Sequence, residues 1–191
     1  MIKMEKGKPG YLKARKFRYL LWAILEFGIV AALLILGYVQ TGSKFNVLTV
    51  VAIVGCLPAS KMLVEYITMA PHKGISQEHY EEIEEKAPLL VKAYDMIITS
   101  TEKVMPVSAI VICGHTVCGY TQSSRTDEAK CALSIKEMLK DHHYDKMTVK
   151  IFRDYRAFLL RAEGMNNIAA VEKKSGKMEK AIRKLILTIS M

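Results

Sequence analysis

The chain has 191 residues, of which 51% are hydrophobic and 25% charged, with a net charge of +9. That length holds a membrane anchor and one ordinary soluble domain but not a second, and the charged share excludes a chain embedded wholly in lipid. The basic excess is uneven: residues 1–18 carry seven basic residues against Glu5, residues 19–70 balance, and residues 71–191 carry 19 against 16. It therefore belongs to the flank of an apolar run, where it orients the chain and attracts anionic headgroups, and does not imply a basic groove for nucleic acid.

Lys3, Lys6, Lys8, Lys13, Arg15, Lys16 and Arg18 form that flank and read as a cytoplasmic N-terminus over residues 1–18. Tyr19 to Val39 is apolar apart from Glu26. As a helix it would be about 30 Å long, the thickness of a bilayer's hydrocarbon core. A signal peptide could also offer a basic flank and an apolar core, but that core is shorter and ends at a small-residue cleavage site, whereas this run is longer and ends in Tyr38, Val39 and Gln40.

After the polar turn at Thr41, Gly42, Ser43 and Lys44, Val47 to Leu57 is apolar again, and a second span over residues 46–64 is expected. Pro58 would bend it, helix could run on to Met69, and a re-entrant or interfacial segment is the competing reading. Positive-inside bookkeeping then makes residues 19–70 a transmembrane hairpin with both termini cytoplasmic.

Residues 71–191 read as a cytoplasmic α+β domain. Glu78, Glu81, Glu82, Glu84 and Glu85 open a helix, and Leu89, Leu90, Ala93, Ile97 and Ile98, at helical spacing beyond Pro88, predict a second, buried one. Val107 to Cys113, Gly114-His115-Thr116 and Val117 to Thr121 predict a hairpin. Thr126 is placed to cap a helix beginning Asp127-Glu128. Thr148 to Phe152 and Ala157 to Ala162 look like strands, Gly164 to Asn167 a turn, and Ile168 to Val171 either a strand or a helical start. Met178, Ala181, Ile182, Leu185, Ile186 and Ile189 define an amphipathic final helix.

Candidate chemistry is sparse. Glu26 inside the first span costs roughly 2.5–3.5 kcal/mol if charged. Lys61, near the cytoplasmic end of the returning helix, is the intramembrane cation at a height to pair with it. Cys113, His115 and Cys118 form Cys-x-His-x-x-Cys, a candidate metal or nucleophile set, but no second Cys/His pair stands at a convincing distance. With Cys56 in an apolar span, three cysteines remain, an odd number that argues for reduced cytoplasmic thiols. Asp141, His142, His143 and Asp145 could bind a divalent metal, and are also the usual polar break between helix and strand.

Arg153, Arg156 and Arg161, with His115, are the candidate anion-binding residues. No Walker loop, G-x-G-x-x-G, H-E-x-x-H or G-x-S-x-G occurs. A nuclease of the restriction-endonuclease kind would need acids on the central hairpin, and residues 104–122 have none.

The stretches Gly10-Tyr11-Leu12-Lys13-Ala14-Arg15-Lys16, Leu48 to Lys61 and Glu163-Gly164-Met165-Asn166-Asn167-Ile168-Ala169-Ala170 resemble an uncharacterised group of small bacterial two-span membrane proteins with a C-terminal cytoplasmic domain. The resemblance implies a bacterial cytoplasmic membrane and transfers no functional residue. The expectation is a non-enzymatic membrane protein without a cofactor or catalytic residue. It would sit in a lipid bilayer, form a homo-oligomer through Glu26 and the small residues Gly28, Ala31, Ala32 and Gly37, and bind a cytoplasmic protein or an anionic small ligand. The competing expectations are a membrane-attached enzyme using the Cys113–Cys118 hairpin and a ligand-gated membrane-permeabilising effector.

Overall fold

The computed structural model describes residues 5–43, 46–99, 104–172 and 176–190. Lys3 and Lys44 lie outside the described residues. Two compact units result: residues 13–71, and residues 72–191 together with the segment up to Leu12.

The first unit is a helical pair. α1 runs Tyr11–Thr41 and α2 runs Val47–Met69, both long and apolar enough to cross a membrane. Asn46 caps α2 by accepting the Thr49 amide at 2.8 Å. Pro58 lies inside α2, which continues unbroken through it, while the Ser60 hydroxyl donates to the Cys56 carbonyl at 2.6 Å. The helices pack antiparallel on small residues: a Cβ on Gly37 would lie 3.0 Å from Leu48, and one on Gly55 would lie 3.3 Å from Val30. Ala23, Ala52 and Ala59 are sealed in the seam, whereas Ile24, Ile35, Ile53 and Leu57 point outward.

The second unit is a small α+β domain of α3 (Gln77–Lys86), β1 (Val91–Thr99), β2 (Val104–Cys113), β3 (Thr116–Tyr120), α4 (Glu128–Asp141), β4 (Thr148–Phe152), α5 (Tyr155–Glu172) and α6 (Lys177–Ile189). Its sheet has the order β1-β2-β3-β4, antiparallel except for the parallel β3–β4 pair that α4 connects. α4 and α6 cover one face through Cys131, Ile135, Leu139, Ile182 and Ile186. α3 and α5 cover the other through Ile83, Phe158, Leu159, Ala162 and Met165. The result is three layers with a core on each side of the sheet.

Three sequence-based expectations need correction. Residues 91–99 form a strand, not a buried helix. Val91, Tyr94, Ile97, Ile98 and Thr99 favour extended backbone, and a strand buried on both faces shows no period-2 alternation to distinguish it. Ala157 to Ala162 is helical, because Ala, Leu and Arg are strong helix formers and the Asp154 carboxylate accepts the Arg156 amide at 3.0 Å where α5 begins. The expected turn at Gly164 to Asn167 is the middle of that helix, with Met165 buried and Asn166 accepting the Leu89 amide at 3.0 Å. Ile168 to Val171 belongs to it too.

The hairpin stands where the sequence put it. Its loop is Gly114-His115, and Gly114 supplies the positive φ of 53° that a two-residue loop needs at its first position. The α4 cap is Asp127, one residue beyond the expected Thr126, and its carboxylate accepts the Ala129 and Lys130 amides. Thr126 is buried, its hydroxyl donating to the Pro106 carbonyl.

Asp95 is the least ordinary residue of the sheet. It is 3% exposed, has φ 53° within β1, and interrupts the β1–β2 register between Tyr94↔Ala109 and Met96↔Val107. Core membership changes parity there: Ala93 and Met96 share one face, as do Val107 and Ile110 opposite. Its carboxylate accepts the Gly10 amide and the Ile75 amide, each at 2.7 Å. One buried carboxyl group thus holds the segment that leads into α1 and the segment that follows α2.

The outer edge of β1 is covered as well. Tyr94 donates to the Gly7 carbonyl at 3.0 Å, Lys6 donates to the Ser190 carbonyl, and Ser190 bridges Ile98. Covering an edge in this way removes a template for strand addition.

Candidate functional site

The side chains of β4 alternate, so Ile151 enters the core under α4 while Thr148, Lys150 and Phe152 share the opposite face. That face meets α5 across a groove of about 440 Å³, which Thr116 and Cys118 of β3 and Ala157, Leu160 and Arg161 of α5 complete. Gly119, which follows Cys118 on β3, keeps the strand close to β4: a Cβ there would lie 2.6 Å from the Ile151 methyl.

Chemically the groove has two cations, two threonine hydroxyls, one thiol and an apolar wall, with no acid on its lining. The Lys150 ammonium sits 4.9 Å from the centroid of the Phe152 ring, a cation–π contact that holds it over the groove. Arg161 is exposed and shares the groove lining with Cys118. Burial pushes the Cys118 thiol up from its ordinary value, with Arg161 and Lys150 opposing the shift. A thiol held protonated is a weak nucleophile, and two cations on a lining without an acid are the donors that suit an anion.

Of the four predicted anion-binding residues, only Arg161 is in the groove. Arg153 turns to α4, donating to the Thr126 carbonyl at 2.7 Å and pairing with Glu128 at 3.3 Å. Arg156 is exposed on the first turn of α5, and His115 is exposed at the tip of the hairpin. Lys150 is the residue the sequence reasoning passed over. The alternation Thr148-Val149-Lys150-Ile151-Phe152 could have found it, because it puts the lysine opposite the buried isoleucine.

Cys113, His115 and Cys118 do not assemble. Cys118 lies beneath α5, Cys113 donates its thiol to the Met165 carbonyl at 3.6 Å, and His115 faces solvent. Among the described residues no three His, Cys, Asp or Glu side chains are grouped to hold a metal ion, the Asp141–Asp145 break included. His142 there contacts the Met138 carbonyl at 2.9 Å through its ring. The hairpin strands have no acid, which leaves a restriction-type nuclease without its metal ligands on these strands.

An aromatic cluster of His79, Tyr120, Tyr155 and Phe158 joins α3, β3 and α5. His79 stacks on Tyr155 at 3.7 Å, and Tyr155 donates to Glu82 at 2.8 Å. Burial raises the Tyr155 phenol and the bond to Glu82 adds to the rise, so this tyrosine acts as a donor that pins α5 to α3.

In the helical unit, Glu26 lies in the α1–α2 seam with its Oε2 sealed and without a hydrogen-bond partner. The Val30–Gly55 contact puts Glu26 level with Ala59, not with a polar residue. Lys61 is exposed, and no ion pair joins it to Glu26.

Compared with known protein families, with curated proteins and with solved structures, the chain matches none.

Proposed function

We propose that the chain is a two-span protein of the bacterial cytoplasmic membrane, with both termini and the α+β domain in the cytoplasm, and that the domain binds a small anionic ligand in the groove between β4 and α5. The observation that carries the ligand reading is the convergence of Lys150, Arg161 and two threonine hydroxyls on a concave surface that no acid lines. Guanidinium and ammonium donors with flanking hydroxyls suit a carboxylate or phosphate, and Phe152 and Leu160 suit an apolar substituent on it. This arrangement favours a small ligand over a protein partner as the groove's occupant.

The membrane reading is supported by the apolar faces of α1 and α2, which point outward, and by the basic residues Lys13, Arg15, Lys16 and Arg18 at one end of the pair. Self-association rests on Gly28 and Ala32, four apart on the outer surface of α1, where a Cβ on Gly28 would meet nothing within 4 Å. Gly37 is occupied within the pair by Asn46 and Leu48 and drops out of that set.

Titration of the detergent-solubilised full chain with benzoate and phenyl phosphate, followed by calorimetry, tests the groove. Saturable binding that K150Q and R161Q each weaken about tenfold is expected. Binding indifferent to both substitutions would refute it. Carbonate-resistant sedimentation with membranes, with protease reaching residues 76–191 only from the cytoplasmic side, tests the topology.

A further inference from the structure

A second groove lies on the other side of the domain, where the segment before α1 crosses α3, β1 and α6. It measures about 510 Å³, and its lining includes Lys8 on that segment, Tyr80 and Glu84 on α3, Lys92 and Tyr94 on β1, and Arg183 on α6. Three cations face two carboxylates here: Glu5, at the rim, pairs with Lys8 and is within range of Arg183, and Glu84 accepts Lys92 at 2.6 Å through one oxygen and the Tyr94 hydroxyl at 2.8 Å through the other.

The Lys92 side chain is 9% exposed and also donates to the Ala87 carbonyl, so it is fixed in place. Arg183 is fixed by its Nε, which donates to the Lys92 carbonyl at 2.8 Å. Its Nη2 lies beside Gly7, 3.1 Å from where a Cβ would stand. A guanidinium anchored through Nε presents its remaining donors in a preset fork, the geometry suited to phosphate oxygens.

Lys8 is different. Among the described residues it pairs with Glu5, at the surface, and it sits on a segment held to the domain by the Lys6–Ser190, Tyr94–Gly7 and Gly10–Asp95 bonds. A ligand that engaged Arg183 and Lys8 together would add a further tie between this segment and the domain. The Tyr80 ring, edge to face with Tyr94 at 5.1 Å, gives the groove an aromatic side.

We infer that this groove is a second binding site, distinct from the β4–α5 groove, for a small phosphate monoester with an aromatic substituent. Arg183 and Lys8 take the phosphate, Tyr80 takes the ring, and occupancy fastens the segment leading into α1 onto the domain. Gly7, with φ 85°, is part of the design: a side chain there would be strained by its backbone and would collide with Leu187 at 2.8 Å, beside the guanidinium.

The test uses the full-length protein in detergent, with phenyl phosphate as the probe and hydrogen exchange of the Tyr94 amide as the local readout. Binding should slow that exchange, because the amide donates to Gly7. K8Q should weaken binding about threefold and R183K about tenfold, since lysine cannot reproduce the fork. K184Q, which removes an exposed charge next to Arg183, should leave binding unchanged.

Absence of saturable binding would overturn the inference. So would equal weakening by K8Q and K184Q, which would indicate general electrostatics, or loss of the Tyr94 protection in K150Q with its retention in K8Q, which would assign the phosphate to the other groove. Lys8 is exposed, so K8Q decides the matter even if R183K fails to fold.

Discussion

The helical pair and the α+β domain are inside-out relative to each other. In the domain the largest side chains are sealed, Phe158, Ile110, Ile135, Leu139, Ile182 and Ile186 among them, and ionisable groups stay at the surface, pair, or, as Asp95 and Glu179 do, accept backbone amides. In the helical pair the sealed residues include Ala23, Ala52 and Ala59, and the large apolar side chains face out. The most apolar windows of α1 and α2 are only 17% and 11% buried. A core helix of a water-soluble protein buries its apolar windows instead. The contrast separates two kinds of packing: hydrophobic burial organises the domain, and close backbone approach on small residues organises the pair, which is the packing the proposed membrane setting calls for.

The contrast can be broken at its strongest point first. Phe158→Ala should destabilise the domain by about 3–5 kcal/mol, measured by chemical denaturation, because it opens a cavity between β3 and α5. An undiminished midpoint would mean the core on that face is not close-packed.

Nearly as large is the expected effect of Asp95→Ala, about 3 kcal/mol, since two hydrogen bonds vanish and the Gly10 and Ile75 amides lose their acceptor. Proteolysis should then cut near Gly74 and ahead of Tyr11 well below the melting temperature. Gly74→Ala should reproduce part of this, because its Cβ would stand 2.9 Å from the carboxylate.

The sharpest comparison uses two side chains of equal exposure. Ile35 of α1 is 66% exposed and Leu160 of α5 is 70% exposed. Ile35→Arg should cost about 2.5–3.5 kcal/mol of membrane insertion and shift the protein out of the membrane fraction. Leu160→Arg should change domain stability by no more than about 0.5 kcal/mol. Equal effects at the two sites would show that both regions face water.

Smaller per pH unit is the alkaline response of Cys131. Burial pushes its thiol up to about 12 from an ordinary 9.0. The folded state therefore keeps a proton that the unfolded chain releases, and stability falls as pH rises from 9 towards 12, at no more than about 1.4 kcal/mol per unit. Cys131→Ala should flatten the urea midpoint across that window relative to the parent, and identical slopes would refute the burial argument. The smallest effect expected is that of Arg153→Gln, below about 1 kcal/mol, because its pairing with Glu128 is half exposed.

Periodicity found the elements whose two faces meet different surroundings. α6 buries Ile182 and Ile186 and exposes Lys177, Lys180 and Lys184; α4 and the acidic α3 follow the same rule. β1 and α5 defeated it for opposite reasons. β1 is buried on both faces, so it shows no alternation, and α5 holds Gly164, Asn166 and Asn167, which read as a turn until Met165 and Asn166 find partners on β2 and before β1. The candidate groove was partly legible through Arg161. Lys150 could be joined to it only by the parallel pairing of β4 with β3, a contact between strands separated by a whole helix.

The sequence alone determined the two apolar helices, their basic flank, the hairpin and the absence of acids from it, because length, hydropathy and turn chemistry act within a few residues of each other. Tertiary structure alone decided that β1 is a strand, that Asp95 holds the segments on both sides of the helical pair, and which cations share a groove. Those outcomes depend on groups distant in the chain, where burial and backbone hydrogen bonding outweigh local preference.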